Sequence, residues 1–138
     1  MNRVFIQAAL AAICWTGGAS FAAADPCEAQ LPPAGVTFSG PVTYIVDGDG
    51  LCVGDDQGGI EVRFGDFDAP ELNAPGGREA KETLRTIALR KTVICKSCEG
   101  ARNPNRCVSF DRIIATCRLN GERLGDLMRE AGIKEGGN

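Results

Sequence analysis

The sequence contains no histidine, and this absence bears directly on the metal chemistry that the chain supports. Cys95 and Cys98 have the spacing of a zinc-ligand pair, which makes a zinc site the alternative to disulfides. Neither Cys107 nor Cys117 begins a second close pair, however, and no histidine can complete the set. We therefore expect the cysteines to form disulfides rather than a zinc site.

The sequence also lacks an excess of positive charge. It has 15 Lys and Arg residues against 18 Asp and Glu residues, a formal net charge of −3. Proteins that bind duplex DNA electrostatically are usually basic. We therefore do not expect tight, sequence-independent coating of DNA, although a bound divalent cation would neutralise part of the acidic charge.

The apolar run at the N-terminus lacks the length and the basic stop of a membrane anchor, which is the alternative to a secretory signal. It spans residues 4–15, after Arg3 and before three small residues, Ala22, Ala23 and Ala24. A positive start, a short apolar run and small residues are typical of a secretory signal peptide. We predict that residues 1–24 are removed before Asp25. The protein would then be exported to the periplasm or the medium, without a membrane attachment.

The remaining residues, 25–138, suffice for one compact domain, and the sequence shows no internal repeat or low-complexity segment. Loss of Cys14 leaves six of the seven cysteines, and an even number in a small exported domain favours disulfides. Many pairings are possible in principle. We predict a local loop closure, a bridge between two neighbouring apolar runs, and a pair formed by the two cysteines that remain: Cys98–Cys107, Cys95–Cys117 and Cys27–Cys52.

Alternating apolar residues and turn signals predict five strands, over residues 36–46, 51–53, 60–64, 92–96 and 112–119. The Gly40-Pro41 pair should interrupt the first strand or form a bulge in it. Helical spacing predicts two helices, over residues 78–89 and 123–131. Their expected core faces are Ala80, Leu84, Ile87 and Ala88 in the first helix, and Leu124, Leu127, Met128 and Ala131 in the second. This order predicts a mainly β protein with helices (α+β), a five-stranded OB-type barrel with one helix after strand 3 and one C-terminal helix.

Residues 47–71 carry a group of acidic residues at the ends of short apolar runs. Asp47 and Asp49 flank Gly48, and alternation in a strand would direct both carboxylates to one face. We expect Asp49, Asp68 and Glu71 to gather around one hard cation, with Arg63 nearby as a counter-charge for an anionic ligand. Taken singly, these residues have simpler interpretations: turn residues, a structural ion pair and a solvated loop acid.

These motifs resemble the staphylococcal-nuclease-like (thermonuclease) family over residues 42–133. The similarity is specific because several motifs occur together in one order, with the spacing preserved from Arg112 to Gly132. The matching segments are Val46-Asp47-Gly48-Asp49, Val62-Arg63, Asp68-Ala69-Pro70-Glu71, Gly77-Arg78-Glu79-Ala80, Asp111-Arg112-Ile113-Ile114-Ala115, Asn120-Gly121 and Leu127-Met128-Arg129-Glu130-Ala131-Gly132.

The resemblance implies a calcium-dependent nuclease that cleaves DNA and RNA to leave 3′-phosphates. Asp49, Asp68 and the backbone carbonyl of Ala69 would bind Ca²⁺, with Asp47 as an outer-shell carboxylate. Glu71 would activate or orient the attacking water. Arg63 and Arg112 would hold the phosphate, with Arg112 toward the leaving 5′-oxygen. We expect a monomer whose substrate is nucleic acid, with single-stranded DNA or RNA favoured.

Three departures from the family pattern support two alternatives. Gly50 replaces the usual Thr or Ser, Asp66 adds a carboxylate, and the sequence ends soon after Gly132, without the family's third helix. The first alternative is a catalytically weak or inactive OB barrel that binds nucleic acid or another partner. The second is a disulfide-stabilised calcium-binding module. In the family, the region beyond the position of Gly132 helps to hold the nucleotide. Arg102, Arg106 and Phe110 would supply substrate contacts in its place.

Overall fold

Short strands form the framework of the protein, as a computed structural model of residues 26–100 and 104–136 shows. The five longer strands are β1 (Thr37–Ile45), β2 (Gly50–Val53), β3 (Ile60–Phe64), β4 (Thr92–Ser97) and β6 (Arg112–Leu119). Two strands of two residues each are β5 (Val108–Ser109) and β7 (Glu122–Arg123). The helices are α1 (Gly77–Ala88) and α2 (Leu124–Glu130), and single 3-10 turns cover Asp56–Gly58 and Pro104–Cys107.

The five longer strands close into a barrel in the order β3-β2-β1-β4-β6. Neighbours along this path pair antiparallel. The barrel closes where β3 pairs with β6 in parallel, with Val62 opposite Ile113, Arg63 opposite Ile114 and Phe64 opposite Ala115. This closure brings two chain segments about 50 residues apart into direct register.

The barrel confirms the predicted OB-type α+β fold, with α1 after the third strand and α2 near the C-terminus. The sequence did not predict β5 and β7, because two residues are too short for a periodic pattern. The predicted interruption at Gly40-Pro41 was wrong: both residues lie within β1, and the register shifts between Val42 and Tyr44 instead. Pro41 lies at the end of the β1–β4 ladder, opposite Thr92, and its carbonyl accepts the N–H of Gly54 at 2.8 Å.

The core fills the barrel and the space beneath the two helices. Ala80, Leu84 and Ala88 of α1 are fully buried, as are Leu124 and Met128 of α2. Ile87 and Leu127 are partly buried against this core. The expectation for Ala131 was wrong, because α2 ends at Glu130 and Ala131 is exposed; Ile133 packs there instead.

Three disulfides cross-link the domain, and all three have the predicted pairing. Cys95 lies directly opposite Cys117 in the β4–β6 ladder, so that this bridge links two barrel strands. Cys27–Cys52 ties the segment before β1 to β2, and Cys98–Cys107 closes the loop between β4 and β5. Such a set is typical of an oxidising compartment.

The predicted signal peptide, residues 1–24, lies outside the described residues. Within the part of the chain that the structure describes, no helix has the length and hydrophobicity needed to cross a membrane.

Candidate functional site

Asp49 is the buried member of the acidic group, with only 6% of its surface exposed. It belongs to a bend between β1 and β2 rather than to a strand, so the expected strand alternation does not position it. Its Oδ2 accepts a hydrogen bond from the main-chain N–H of Ala69 at 2.9 Å, and its own N–H donates to Asp47 Oδ1 at 3.1 Å. Asp49 therefore connects the β1–β2 bend to the segment after β3.

The bend approaches that segment closely because it contains glycine. A Cβ atom at Gly48 would lie 2.6 Å from the Cβ atoms of both Ala69 and Ala80, far inside van der Waals contact. Gly50 is also confined, since a Cβ there would lie 2.8 Å from Asp47 Oδ1. Gly48 thus lets the bend pack against α1 and the β3–α1 segment, to which the Asp49 carboxylate is hydrogen-bonded.

The pKa of the Asp49 carboxyl is raised to about 7, first by its burial and second by the negative charge of Asp47. The hydrogen bond from Ala69 and the positive charge of Arg63 act in the opposite direction. A positive charge close to Asp49 therefore stabilises its ionised form and lowers its pKa.

Arg63 supplies such a charge from β3. Its Nη2 lies 2.9 Å from Asp68 Oδ1 and 4.0 Å from Asp49 Oδ2. The structure therefore brings Asp49 and Asp68 to one guanidinium nitrogen, although they are 19 residues apart in the sequence. About a third of the Arg63 side chain remains exposed to solvent.

Arg112 reaches the same group from β6, with Nη1 at 4.0 Å from Asp47 Oδ2. Arg63 pairs with Ile114, two residues beyond Arg112 on the same face of β6. Arg63 and Arg112 are consequently diagonal neighbours across the closing pair of strands. Both guanidinium groups face carboxylates of the β1–β2 bend.

Glu71 shares a cleft with Asp68. It is exposed, and it lines an open cleft of about 330 Å³ together with Asp68 and Ala69. Among the residues that the structure describes, no three carboxylates or thiolates converge closely enough to hold a metal ion. In this part of the chain, Asp49 and Asp68 lie beside Arg63, and Asp68 and Glu71 line one cleft.

The chemistry of the donors nevertheless fits a hard cation. Asp49, Asp68 and the Ala69 carbonyl offer oxygen atoms only, which suits Ca²⁺ or Mg²⁺ and not zinc. The raised pKa of Asp49 also means that a cation would stabilise its ionised form.

The C-terminal segment supplies site residues that sequence reasoning missed. The N–H of Asp68 donates to Glu135 Oε1 at 3.1 Å, and the N–H of Gly136 donates to the Asp68 carbonyl at 2.9 Å. Arg129 of α2 binds Glu135 at 3.0 Å and donates to the carbonyl of Asp66 at 2.5 Å. No short motif marks such long-range contacts, so only the fold reveals them.

Asp66 packs against α2. Its Oδ2 is buried next to Gly125 of α2 and has no hydrogen-bond partner among the described residues. Burial raises the pKa of the Asp66 carboxyl, and its nearest opposing charges are Arg123 and Arg129. The extra carboxylate therefore belongs to the contact with α2.

Two of the three residues expected to replace missing substrate contacts lie in the described part of the chain. Phe110 is 92% exposed, and its ring centroid lies 6.0 Å from the guanidinium carbon of Arg112. Arg106 is exposed on the preceding 3-10 turn. Arg102 lies outside the described residues.

No protein-family model matches the chain. The chain is similar to micrococcal nuclease from Shigella flexneri, with 38% identity over 61 residues, which is 44% of this chain and 35% of that protein. It is also similar to protein ParB from Escherichia coli, with 36% identity over 62 residues, 45% of this chain and 35% of that protein. The chain thus spans about a third of the length of these curated relatives, and the matched part relates it to a nuclease.

Proposed function

We propose that this protein is an exported phosphodiesterase that hydrolyses single-stranded DNA or RNA to 3′-phosphate products and requires calcium. The observation that carries the proposal is the placement of Arg63 and Arg112 on one face of two paired strands, beside Asp47, Asp49 and Asp68. The partial similarity to a nuclease supports it.

The two arginines suit the electrostatic demands of phosphodiester hydrolysis. Negative oxygens of a diester repel a nucleophile, and charge grows on the phosphorane and the leaving 5′-oxygen. A guanidinium group is always protonated, and its planar fork matches two phosphate oxygens. Arg63 and Arg112 would hold the phosphate from two sides, with Arg112 nearer the leaving oxygen.

The carboxylates would divide two roles between them. Asp49, Asp68 and the Ala69 carbonyl would hold Ca²⁺, which when bound polarises the phosphate and orients water, with Asp47 in the outer shell. Arg63 would exchange its contact with Asp68 for the substrate phosphate. Glu71 would accept the proton of the attacking water, and its position in an open cleft leaves it accessible to that water.

The test is hydrolysis of single-stranded DNA by the purified oxidised protein, with and without calcium. We expect calcium-dependent cleavage by the wild type and a loss of about 10²–10³ in rate for Glu71→Gln and Arg112→Ala. Glu79→Gln, an exposed acid of α1 outside the cluster, is the matched control. Equal inactivity of the wild type and both variants would refute the proposal.

A barrel that binds nucleic acid without cutting it is the second candidate. The 2.9 Å pair between Arg63 and Asp68, and the lack of a three-carboxylate cluster among the described residues, favour it. Binding of single-stranded DNA by the wild type, with no cleavage under any calcium concentration, would establish this candidate instead.

A further inference from the structure

Three cations form a row along the exposed side of α1. Arg78, Lys81 and Arg85 are separated by three and four positions, which places them on one face of the helix. The opposite face is buried through Ala80, Leu84 and Ala88. The row begins one residue into the helix and ends near its last turn.

The row lines an open cleft of about 650 Å³ that Glu71 also lines. Leu72, Asn73 and Glu82 complete the walls of this cleft, so its cations outnumber its acids. The adjoining cleft with Asp68 and Glu135 has the opposite balance, with Lys134 as its cation. The chain as a whole has a net charge of −3, so a cleft with more cations than acids is a local exception. This cleft begins at Glu71, the proposed general base, and continues along α1.

Helix stability does not account for the row. Arg78 lies in the first turn, where the helix dipole disfavours a cation. Arg78 and Lys81, and likewise Lys81 and Arg85, are like charges at spacings where side chains meet and repel. Glu82 offsets part of this repulsion through an ion pair with Arg85 at 3.4 Å. Binding of a polyanion along the row would relieve the remaining repulsion, which gives the row a reason that helix stability does not.

An aromatic ring adjoins the row. Tyr44 of β1 is 42% exposed, and Lys81 Nζ lies 5.6 Å from its ring centroid. Surfaces that bind single strands combine cations that follow the phosphates with aromatic rings on which bases stack. The row itself extends about 10 Å along the helix, roughly three steps of about 3.4 Å in a stacked strand.

We infer that the α1 cleft binds the single-stranded nucleic acid beyond the scissile phosphate, with Arg78, Lys81 and Arg85 on successive phosphates and Tyr44 against a base. This inference rests on the proposed function for the identity of the ligand. It gives the substrate a direction, from the arginine pair past Glu71 and along α1. It also predicts that strands longer than a dinucleotide bind more tightly.

Binding is tested without catalysis, in a chelator, with a labelled single strand of about 12 nucleotides. The variant is Arg78→Gln/Lys81→Gln/Arg85→Gln, and its control is Arg90→Gln/Lys91→Gln/Arg118→Gln, which removes three exposed cations that do not line the cleft. Fluorescence anisotropy measures Kd against salt concentration, and circular dichroism checks that each variant folds.

We expect the slope of log K against log salt to fall by about 2 for the cleft variant, since each single-strand phosphate contact contributes about 0.7. The control should keep the wild-type slope. Equal slopes for the cleft variant and the wild type, or an equal loss in the control, would overturn the inference. A parallel hydrolysis assay separates the two proposals: cleft-dependent binding without any cleavage refutes the phosphodiesterase alone, whereas cleavage with cleft-independent binding refutes the α1 cleft alone.

Discussion

The carboxylate of Glu135 accepts the main-chain N–H of Asp68 at 3.1 Å, across 67 residues of sequence. The adjacent N–H of Gly136 returns a hydrogen bond to the Asp68 carbonyl. The C-terminal segment thus binds both main-chain polar groups of Asp68, and the Asp68 side chain forms an ion pair with Arg63. The position of a proposed calcium ligand is set by residues that follow α2.

Glu135→Ala should loosen the Asp68 segment because it removes the acceptor for the Asp68 N–H. The expected result is several-fold faster amide hydrogen exchange at Asp68 and Gly136, with little change in the barrel strands. Glu135→Gln keeps an acceptor oxygen and should fall between the wild type and the alanine variant. Glu130→Ala, which removes an exposed acid of α2, is the control. Unchanged exchange at Asp68 in Glu135→Ala would show that Glu135 does not hold the Asp68 segment.

Arg63→Gln should lower the free energy of unfolding by about 1–2 kcal/mol in a chelator, because Asp49 loses its nearest positive charge while it stays buried. Partial exposure of Arg63 keeps this loss below that of a fully buried pair. Chemical denaturation at neutral pH measures it. Arg85→Gln is the control, since its partner Glu82 is exposed. A loss in the control as large as that in Arg63→Gln would show that the burial of Asp49 is irrelevant.

The stability of the metal-free protein should decrease as pH rises through the range in which Asp49 ionises. The pKa of this carboxyl is about 7 in the fold, against about 3.9 in an unfolded chain. The folded state therefore holds the proton more tightly, and the resulting stabilisation is complete below about pH 4 and is lost as pH rises through about 7.

Comparison with Asp49→Asn isolates this contribution from that of the other acids. Tm is measured in a chelator from about pH 4 to pH 8. The asparagine can still accept the Ala69 N–H, so the Tm of this variant relative to the wild type should increase with pH. A constant difference in Tm across the range would mean that Asp49 does not titrate as described.

Loss of the Cys95–Cys117 bridge should destabilise the domain more than loss of Cys98–Cys107. Chain-entropy arguments give about 3.4 kcal/mol for the former and about 2.6 kcal/mol for the latter, because the longer loop restricts the unfolded chain more. Paired Cys→Ala variants and denaturant titration measure the difference. Equal or reversed losses would indicate that the bridges act through the folded state instead.

The sequence predicted the barrel well because its signals are local. Period-two alternation identified β3 and β6, and Asn120-Gly121 marked the β6–β7 turn, where both residues have positive φ. The core faces of the helices followed from helical spacing. Ala131 failed because one residue beyond Glu130 the chain leaves the helix, and helix ends are the least certain part of such a prediction.

The candidate site was predictable in composition but not in arrangement. Asp49, Asp68, Arg63 and Arg112 stand in recognisable motifs, yet their mutual placement depends on how β3 meets β6 and how Gly48 packs. Glu135 carries no local signal at all, since a single acid near the end of a sequence is unremarkable without its partner. Glu71 was grouped with the other acids by proximity in sequence, and in the fold it shares an open cleft with Asp68 but is exposed.

The parallel contact between β3 and β6 determines when, as well as where, the two guanidinium groups meet. During synthesis Arg63 emerges about 50 residues ahead of Arg112. Until β6 pairs with β3, the barrel stays open and the two guanidinium groups are not held next to each other. Contacts this distant along the polypeptide are formed late and slowly. Under the proposed function, a chain in which β6 has not yet paired with β3 lacks the assembled arginine pair and should not cleave nucleic acid.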